Sequence, residues 1–180
     1  LLPFERMKLI YATKKSGKTR ELSKALEETE FKVESLINQR IEAAPETGSS
    51  FLENALIKCK SVSETTGRPT IADDSGLVVP ALNGRPGIYS ARYSGPGASD
   101  EENVQKLIQE IRSIPDRRAY FFCCLVFMIS SDDPFPIFAQ GLWKGEILDT
   151  PAGSGGFGYD PIFYLPDYGM TAAELPIEVK

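Results

Sequence analysis

The amino-acid sequence predicts an α/β protein built on a mixed β-sheet, and three observations lead there. Residues 7–36 open the chain as strand, helix and strand. The run Ala119–Ile129 is apolar on both faces, the pattern of a central strand covered on each side. Between and after these, helix-periodic stretches alternate with short apolar runs bounded by Gly, Pro and Asp.

In chain order, "MKLIYA" (7–12) is a short buried strand. It leads through a lysine-rich turn to a helix from about Lys18, where Leu22, Ala25, Leu26 and Thr29 share one face. "FKVESL" (31–36) alternates as a second strand, and 41–50 form a turn-rich loop. A helix over Phe51–Val62 turns Phe51, Ala55, Cys59 and Val62 toward a core, with Asn54, Lys58 and Ser61 as a neighbouring polar stripe. "TIADDSGLVVPAL" (70–82) divides into two strands joined near Asp74-Ser75-Gly76. Beyond a Gly/Pro-rich loop at 83–98, Val104, Leu107, Ile108 and Ile111 mark a third helix, with Ser99 or Asp100 as its N-cap. The central strand then turns at "SSDDPFP", and "FAQGLWKGEIL" returns antiparallel beside it. A second Gly-rich loop, "TPAGSGGFGYDP", precedes the C-terminal "TAAELPIEVK". No repeat or low-complexity tract intervenes. The 180 residues read as one α/β domain whose long loops divide it into two lobes. Met7 is read as the native start, with residues 1–6 an extension ahead of it.

Composition narrows the chemistry. The 25 acidic residues outnumber the 20 basic ones, for a net charge of −5, which argues against a nucleic-acid polymer as partner. A small polyanion remains open, held by clustered lysines and a divalent cation. Histidine is absent, so Ser-His and Cys-His nucleophilic mechanisms and imidazole metal ligands are excluded. Acid–base chemistry falls to carboxylates, lysine, tyrosine, cysteine or metal-bound water. The three cysteines lack C-x-x-C spacing, which reads as reduced core thiols in a cytoplasmic protein. Charges within "LLPFERMKLIYA" break the apolar core a signal peptide needs. The longest apolar run, eleven residues over Ala119–Ile129, is too short to span a bilayer, so no membrane partner is expected.

Three motifs carry chemistry. Ala12–Thr19 reads A-x-x-x-x-G-K-T, one glycine short of the P-loop. Lys14, Lys15 and Lys18 surround Gly17 between a strand and a helix start, where backbone N–H groups and the helix dipole favour an anion. The alternative is a solvated basic turn. A P-loop also needs an acid after an apolar strand, and Asp132 and Asp133 sit in a sequence that reads instead as an exposed turn.

In "IADDSGLVV", two adjacent carboxylates in apolar surroundings need positive compensation. Without histidine, magnesium or lysines are the natural supply. On a strand the pair face opposite sides. The alternative is a strand-ending turn capped by an aspartate. Glu46 stands as a second oxygen ligand or an ordinary surface acid, and Lys58 as a site-facing or solvated lysine. In "SGGFGYDP", glycines surround Phe157, Tyr159 and Asp160, which suits a planar base, or else an aromatic-anchored turn.

At "IADDSGLVVPALNGRPGIYSARYSG" the chain resembles the inosine triphosphate pyrophosphatase family, the HAM1-like purine nucleoside triphosphate pyrophosphatases. "ATKKSGKTREL", "ETGSSFLENALIK", "SDEENVQKLI", "GLWKGEI", "GSGGFGYDPIF" and "MTAAELPIEVK" extend the resemblance over almost the whole length. It implies an elongated mixed sheet with flanking helices, two lobes around a central cleft, and a homodimer. The implied reaction hydrolyses deaminated purine nucleoside triphosphates (inosine, deoxyinosine, xanthosine) to monophosphate and pyrophosphate with magnesium, or manganese, cleansing the nucleotide pool.

By the same resemblance, Thr13, Lys14, Lys15, Ser16, Gly17 and Lys18 wrap the triphosphate. Glu46, Asp73 and Asp74 hold the metal, with Asp74 the base for the attacking water. Ser75 and Lys58 contact phosphate; Phe157, Gly158, Tyr159 and Asp160 hold base and sugar, Phe157 by stacking; Lys180 lies near the six-keto group. Two departures stand out. Lys15 replaces a family asparagine, and the sequence ends at Lys180, before a family Ser-His-Arg motif that reads the base, so a truncated C-terminus is expected. The alternatives are a P-loop NTPase or phosphotransferase, a Maf-type nucleotide pyrophosphatase, and a non-catalytic nucleotide-binding module.

Overall fold

The computed structural model describes residues 7–37, 39–42, 44–176 and 179; residues 1–6 and Lys180, named above, lie outside the described residues. The described strands are β1 (Met7–Tyr11), β2 (Phe31–Ser35), β3 (Thr70–Val78), β4 (Arg118–Met128), β5 (Ile137–Ile147), β6 (Phe163–Leu165) and β7 (Met170–Thr171). The helices are α1 (Ser16–Ala25), α2 (Phe51–Thr66) and α3 (Asp100–Ile111). One mixed sheet runs β2-β1-β3-β4-β5-β6-β7, which puts the two-faced apolar strand β4 in the middle. β1 lies parallel to β2 and β3, while β6 is antiparallel to β5 and β7.

The chain divides into two compact units. One contains the residues up to Asp74 together with Cys124–Gln140; the other contains Ser75–Cys123 together with the residues from Gly141 on. In the first, α2 lays Ala55, Cys59 and Val62 into a core with Ile10, Leu36, Ala72, Val126 and Met128. Ser50 caps α2 by accepting the Glu53 N–H at 3.2 Å, and Gly67 ends it in the left-handed conformation at φ 62°.

In the second unit, Val104, Leu107, Ile108 and Ile111 of α3 meet Leu77, Val79, Ile147, Ile162 and Phe163. Phe163 sits between Phe121 and Trp143, with ring centroids 4.5 and 5.6 Å away.

Three expectations are corrected. β3 is unbroken through Asp74-Ser75-Gly76, where the sequence reads as a join between two strands. The β1 ladder reaches only to Ile71, and β3 runs on past it as the sheet neighbour of β4, so pairing in the sheet outweighs the local turn signal of Ser-Gly. α2 continues four residues past Val62, to Thr66, because its stop is Gly67. α1 begins at Ser16 and ends at Ala25, so Thr29 falls beyond it, and none of its residues is fully buried. For α3 the structure chooses Ser99 as the cap, with a reciprocal capping box to Glu102.

Candidate active site

Three separated segments of the first unit bring their charged groups together. β3 supplies Asp73 and Asp74, both buried. Because side chains alternate along a strand, the two meet different partners. Asp73 accepts the Tyr11 hydroxyl at 2.7 Å and is paired with the Lys18 ammonium from the first turn of α1. Burial works to raise its pKa, yet Lys18 and Tyr11 outweigh it and hold Asp73 below the ordinary carboxylate range.

Asp74 faces α2. Asn54 and Lys58 stand four residues apart, one helical turn, on the buried face of that helix. The Asn54 amide donates to Asp74 Oδ2 at 2.9 Å, and its own Oδ1 accepts the Gly48 N–H at 2.8 Å. A Cβ on Gly48 would lie 2.6 Å from Glu53 Cβ and 2.8 Å from Asn54 Oδ1, so the loop can pass there only as glycine. That clip holds the Glu46 loop against the helix. Lys58 Nζ lies 3.0 Å from Glu46 Oε1 and 3.9 Å from Asp74 Oδ1. Burial raises the Asp74 pKa; Asn54 and Lys58 oppose the rise and Glu46 adds to it.

The lysine-rich turn passes into α1 earlier than the sequence suggests, so Ser16, Gly17 and Lys18 belong to the helix's first turn. Lys15 is the N-cap of α1, with no side-chain cap and no acid in the helix's first turn. Thr13 Oγ1 accepts the Lys15 N–H at 3.2 Å and shapes the approach. Lys14, Lys15 and Ser16 are exposed; Thr13, Gly17 and Lys18 are half-buried. Asp133 closes the β4–β5 connection by accepting the Ile129 and Phe135 N–H groups, each at 2.9 Å. That is the turn role, and it leaves the P-loop reading without its acid.

In the second unit the Gly-rich loop divides its aromatics. Phe157 is 39% exposed, while Tyr159 is 4% exposed and donates its hydroxyl to the Ser90 carbonyl at 2.9 Å. Asp160, also buried, accepts the Phe157 N–H at 2.8 Å. Gly156 sits at φ 75°, and a Cβ there would run into the Asp160 carboxylate. Ser75 is half-buried on β3.

Tyr11 and Asn54 are the site residues that sequence reasoning did not assign. Asn54 carried a signal, the i, i+4 polar stripe with Lys58 beside a core face. Tyr11 carried none, reading as one more apolar strand residue.

Among the described residues no three acids or cysteines form a ready-made metal cage. The pair Glu46 and Asp74, converging on one ammonium group, is nevertheless a hard-oxygen donor set of the size a small divalent cation uses when phosphates and water complete its shell. The residues present fit such an ion.

Buried carboxylates facing lysines on a mixed sheet of this strand order define the class, an α/β protein with a charged cluster built into its sheet and helices. The family model of the Ham1 family matches residues 9–180, and the chain belongs to that family. It is 50% identical over 175 residues to a dITP/XTP pyrophosphatase of Yersinia pestis, covering 96% of this chain and 89% of that one. A dITP/XTP pyrophosphatase of Escherichia coli O157:H7 is 47% identical over the same coverage. Among solved structures, a HAM1 protein from Coxiella burnetii superposes with a TM-score of 0.88 at 40% identity, covering 96% of this chain and 89% of its own. A nucleoside-triphosphatase/dITP/XTP pyrophosphatase from Mycobacterium abscessus gives 0.78 at 40% identity, covering 96% and 91%.

Proposed function

We propose that the chain hydrolyses deaminated purine nucleoside triphosphates, dITP, ITP and XTP, to the monophosphate and pyrophosphate. The observation that carries this is Asp74: one carboxylate oxygen is fixed by Asn54, and the other is turned toward Lys58 beside Glu46. A carboxylate oriented by a buried amide can hold a water and take its proton in an in-line attack on the α-phosphorus. Lys58 and Lys18 stabilise charge that grows on the phosphate oxygens, with Ser75 a further phosphate contact. A divalent cation, magnesium or manganese, held by Glu46 and Asp74 with Asp73 beside them, supplies charge neutralisation along the phosphates. The turn Thr13–Lys18 receives the triphosphate, its α1 N-terminus and lysines complementing negative charge.

For the base, Phe157 offers a stacking face and the Gly158 backbone lies next to it, with Tyr159 and Asp160 bracing the loop. A six-keto oxygen accepts hydrogen bonds from backbone N–H and from Lys180. Adenine's six-amino group would set donor against donor, at about 1–3 kcal/mol for each buried group left unpaired. The exposed apolar side chains Ile129, Phe135, Ile137 and Phe138 support a homodimer. Three free cysteines and a nucleotide substrate support a cytoplasmic setting. No helix among the described residues is long and apolar enough to cross a membrane.

Product analysis tests the reading. With ITP and magnesium, pyrophosphate and inosine monophosphate should appear, and ATP should turn over far more slowly. Orthophosphate as the first product, or equal rates on ITP and ATP, would reject it.

A further inference from the structure

The first turn of α3 carries two acids, Asp100 and Glu101, beyond the Glu102 that its cap uses. Ser99 Oγ accepts the Glu102 N–H at 3.2 Å, and Glu102 accepts the Ser99 N–H at 2.7 Å, which closes the capping box. Asp100, the next residue, stays outside that box. Its Oδ2 instead accepts the backbone N–H of Gly158 at 2.7 Å, a contact across 58 residues of chain. Gly158 follows Phe157 directly and sits at φ 60°. The Phe157 N–H is itself held by Asp160. Two successive peptide N–H groups, one on each side of the Phe157 Cα, are therefore each tied to a carboxylate.

We propose that Asp100 is a positioning residue for the nucleobase, setting the orientation of the Phe157 ring through the Gly158 N–H. This rests on the reading of Phe157 as the base platform. A loop with positive φ at Gly153, Gly156 and Gly158 has many accessible conformers, and each must be given up when a ligand orders it. Holding the peptide in place beforehand removes that loss from the binding step. The charge-assisted bond from Asp100 does so from a regular helix, while Asp160 does so from within the loop's own 3-10 turn. Asp100 does not touch the reacting phosphorus in this account. Its loss should appear in binding and leave the chemical step alone.

Steady-state kinetics on ITP with magnesium test the proposal, using four variants beside the wild type. Asp100→Ala should raise KM by about threefold to tenfold with kcat within twofold of wild type. Asp100→Asn keeps an oxygen acceptor but loses the charge, and should restore most of the KM. Both variants lose the same favourable charge at the helix N-terminus, so a KM difference between them isolates the acceptor. Ser99→Ala should lower the melting temperature and leave KM unchanged, which separates helix stability from base positioning.

Phe157→Ala distinguishes the two layers of the argument. A raised KM there with a wild-type KM in Asp100→Ala overturns the role of Asp100 alone. An unchanged KM in Phe157→Ala removes the base platform, and this inference with it. Equal KM increases in the Ala and Asn variants also overturn it, because a charge effect at the helix end would then suffice.

Discussion

The two units bury polar groups in different ways. In the first, the buried charges pair side chain to side chain: Asp73 with Tyr11 and Lys18, Asp74 with Asn54, and Lys58 with Glu46. In the second, buried polar side chains reach for backbone. Ser90 accepts the Leu77 N–H and donates to the Gly87 carbonyl; Asn103 accepts the Ser94 N–H and donates to the Ala91 carbonyl. Asp160 holds the Phe157 N–H, and Thr171 donates to the Ala152 carbonyl. Backbone-held groups shape loops. A network of charged side chains holds its members by mutual compensation, and losing one weakens the compensation of the rest. The first unit thus concentrates its paired charges in one network, while the second uses its buried polar groups to fix loops.

The largest expected effect lies in the charged network. Asp74→Asn keeps the volume and an acceptor but cannot take a proton, so kcat on ITP should fall by about 100-fold or more with folding intact by circular dichroism. Near-wild-type turnover would take Asp74 out of the base role.

Next is Lys18→Met, which leaves Asp73 buried without its ion-pair partner and held by the Tyr11 hydroxyl. Unfolding free energy should drop by about 3 kcal/mol in urea titrations, and the double variant Lys18→Met/Asp73→Leu should recover much of it. Additive losses in the double variant would show that the pair is not a unit.

Thr171→Val samples the backbone-held class. A loss of about 1 kcal/mol with kcat unchanged is expected. A large kcat effect there would erase the contrast between the units.

Smallest is Cys59, a backbone-held group inside the first unit. Its thiol donates to the Thr70 and Val126 carbonyls, and burial pushes its pKa up to about 12. The raised folded value favours the protonated form, so this contribution is whole below the unfolded value of about 8.5 and is lost as pH climbs above it. Cys59→Ala should flatten the alkaline limb of a stability–pH curve; an unchanged limb would assign that slope to other groups.

Much of the fold is legible in local pattern. The two-faced apolarity of 119–129 marks the middle strand, and the spacing of Val104, Leu107, Ile108 and Ile111 marks α3 with its buried face. Where local signals mislead, tertiary context is the cause. Ser75-Gly76 reads as a break, but β3 continues through it to Val78 as the sheet neighbour of β4. The candidate site is legible as residue types: paired aspartates, a lysine-rich turn, an aromatic among glycines. Which of them meet was not. Tyr159 and Asp160 share a motif with Phe157 in the sequence, yet both are buried while Phe157 stays substantially open.

By itself the sequence determined the α/β class, the buried faces of α2 and α3, and the chemistry left open once histidine is absent. These follow from periodicity, capping and composition, each readable within a few residues. Only the tertiary structure decided that Asp73 goes to Lys18 and Tyr11, that Lys58 joins Glu46 to Asp74, and that Asp100 reaches Gly158. Residues dozens of positions apart leave no periodic trace of their contact, because that contact exists only once the strands and helices carrying them have packed.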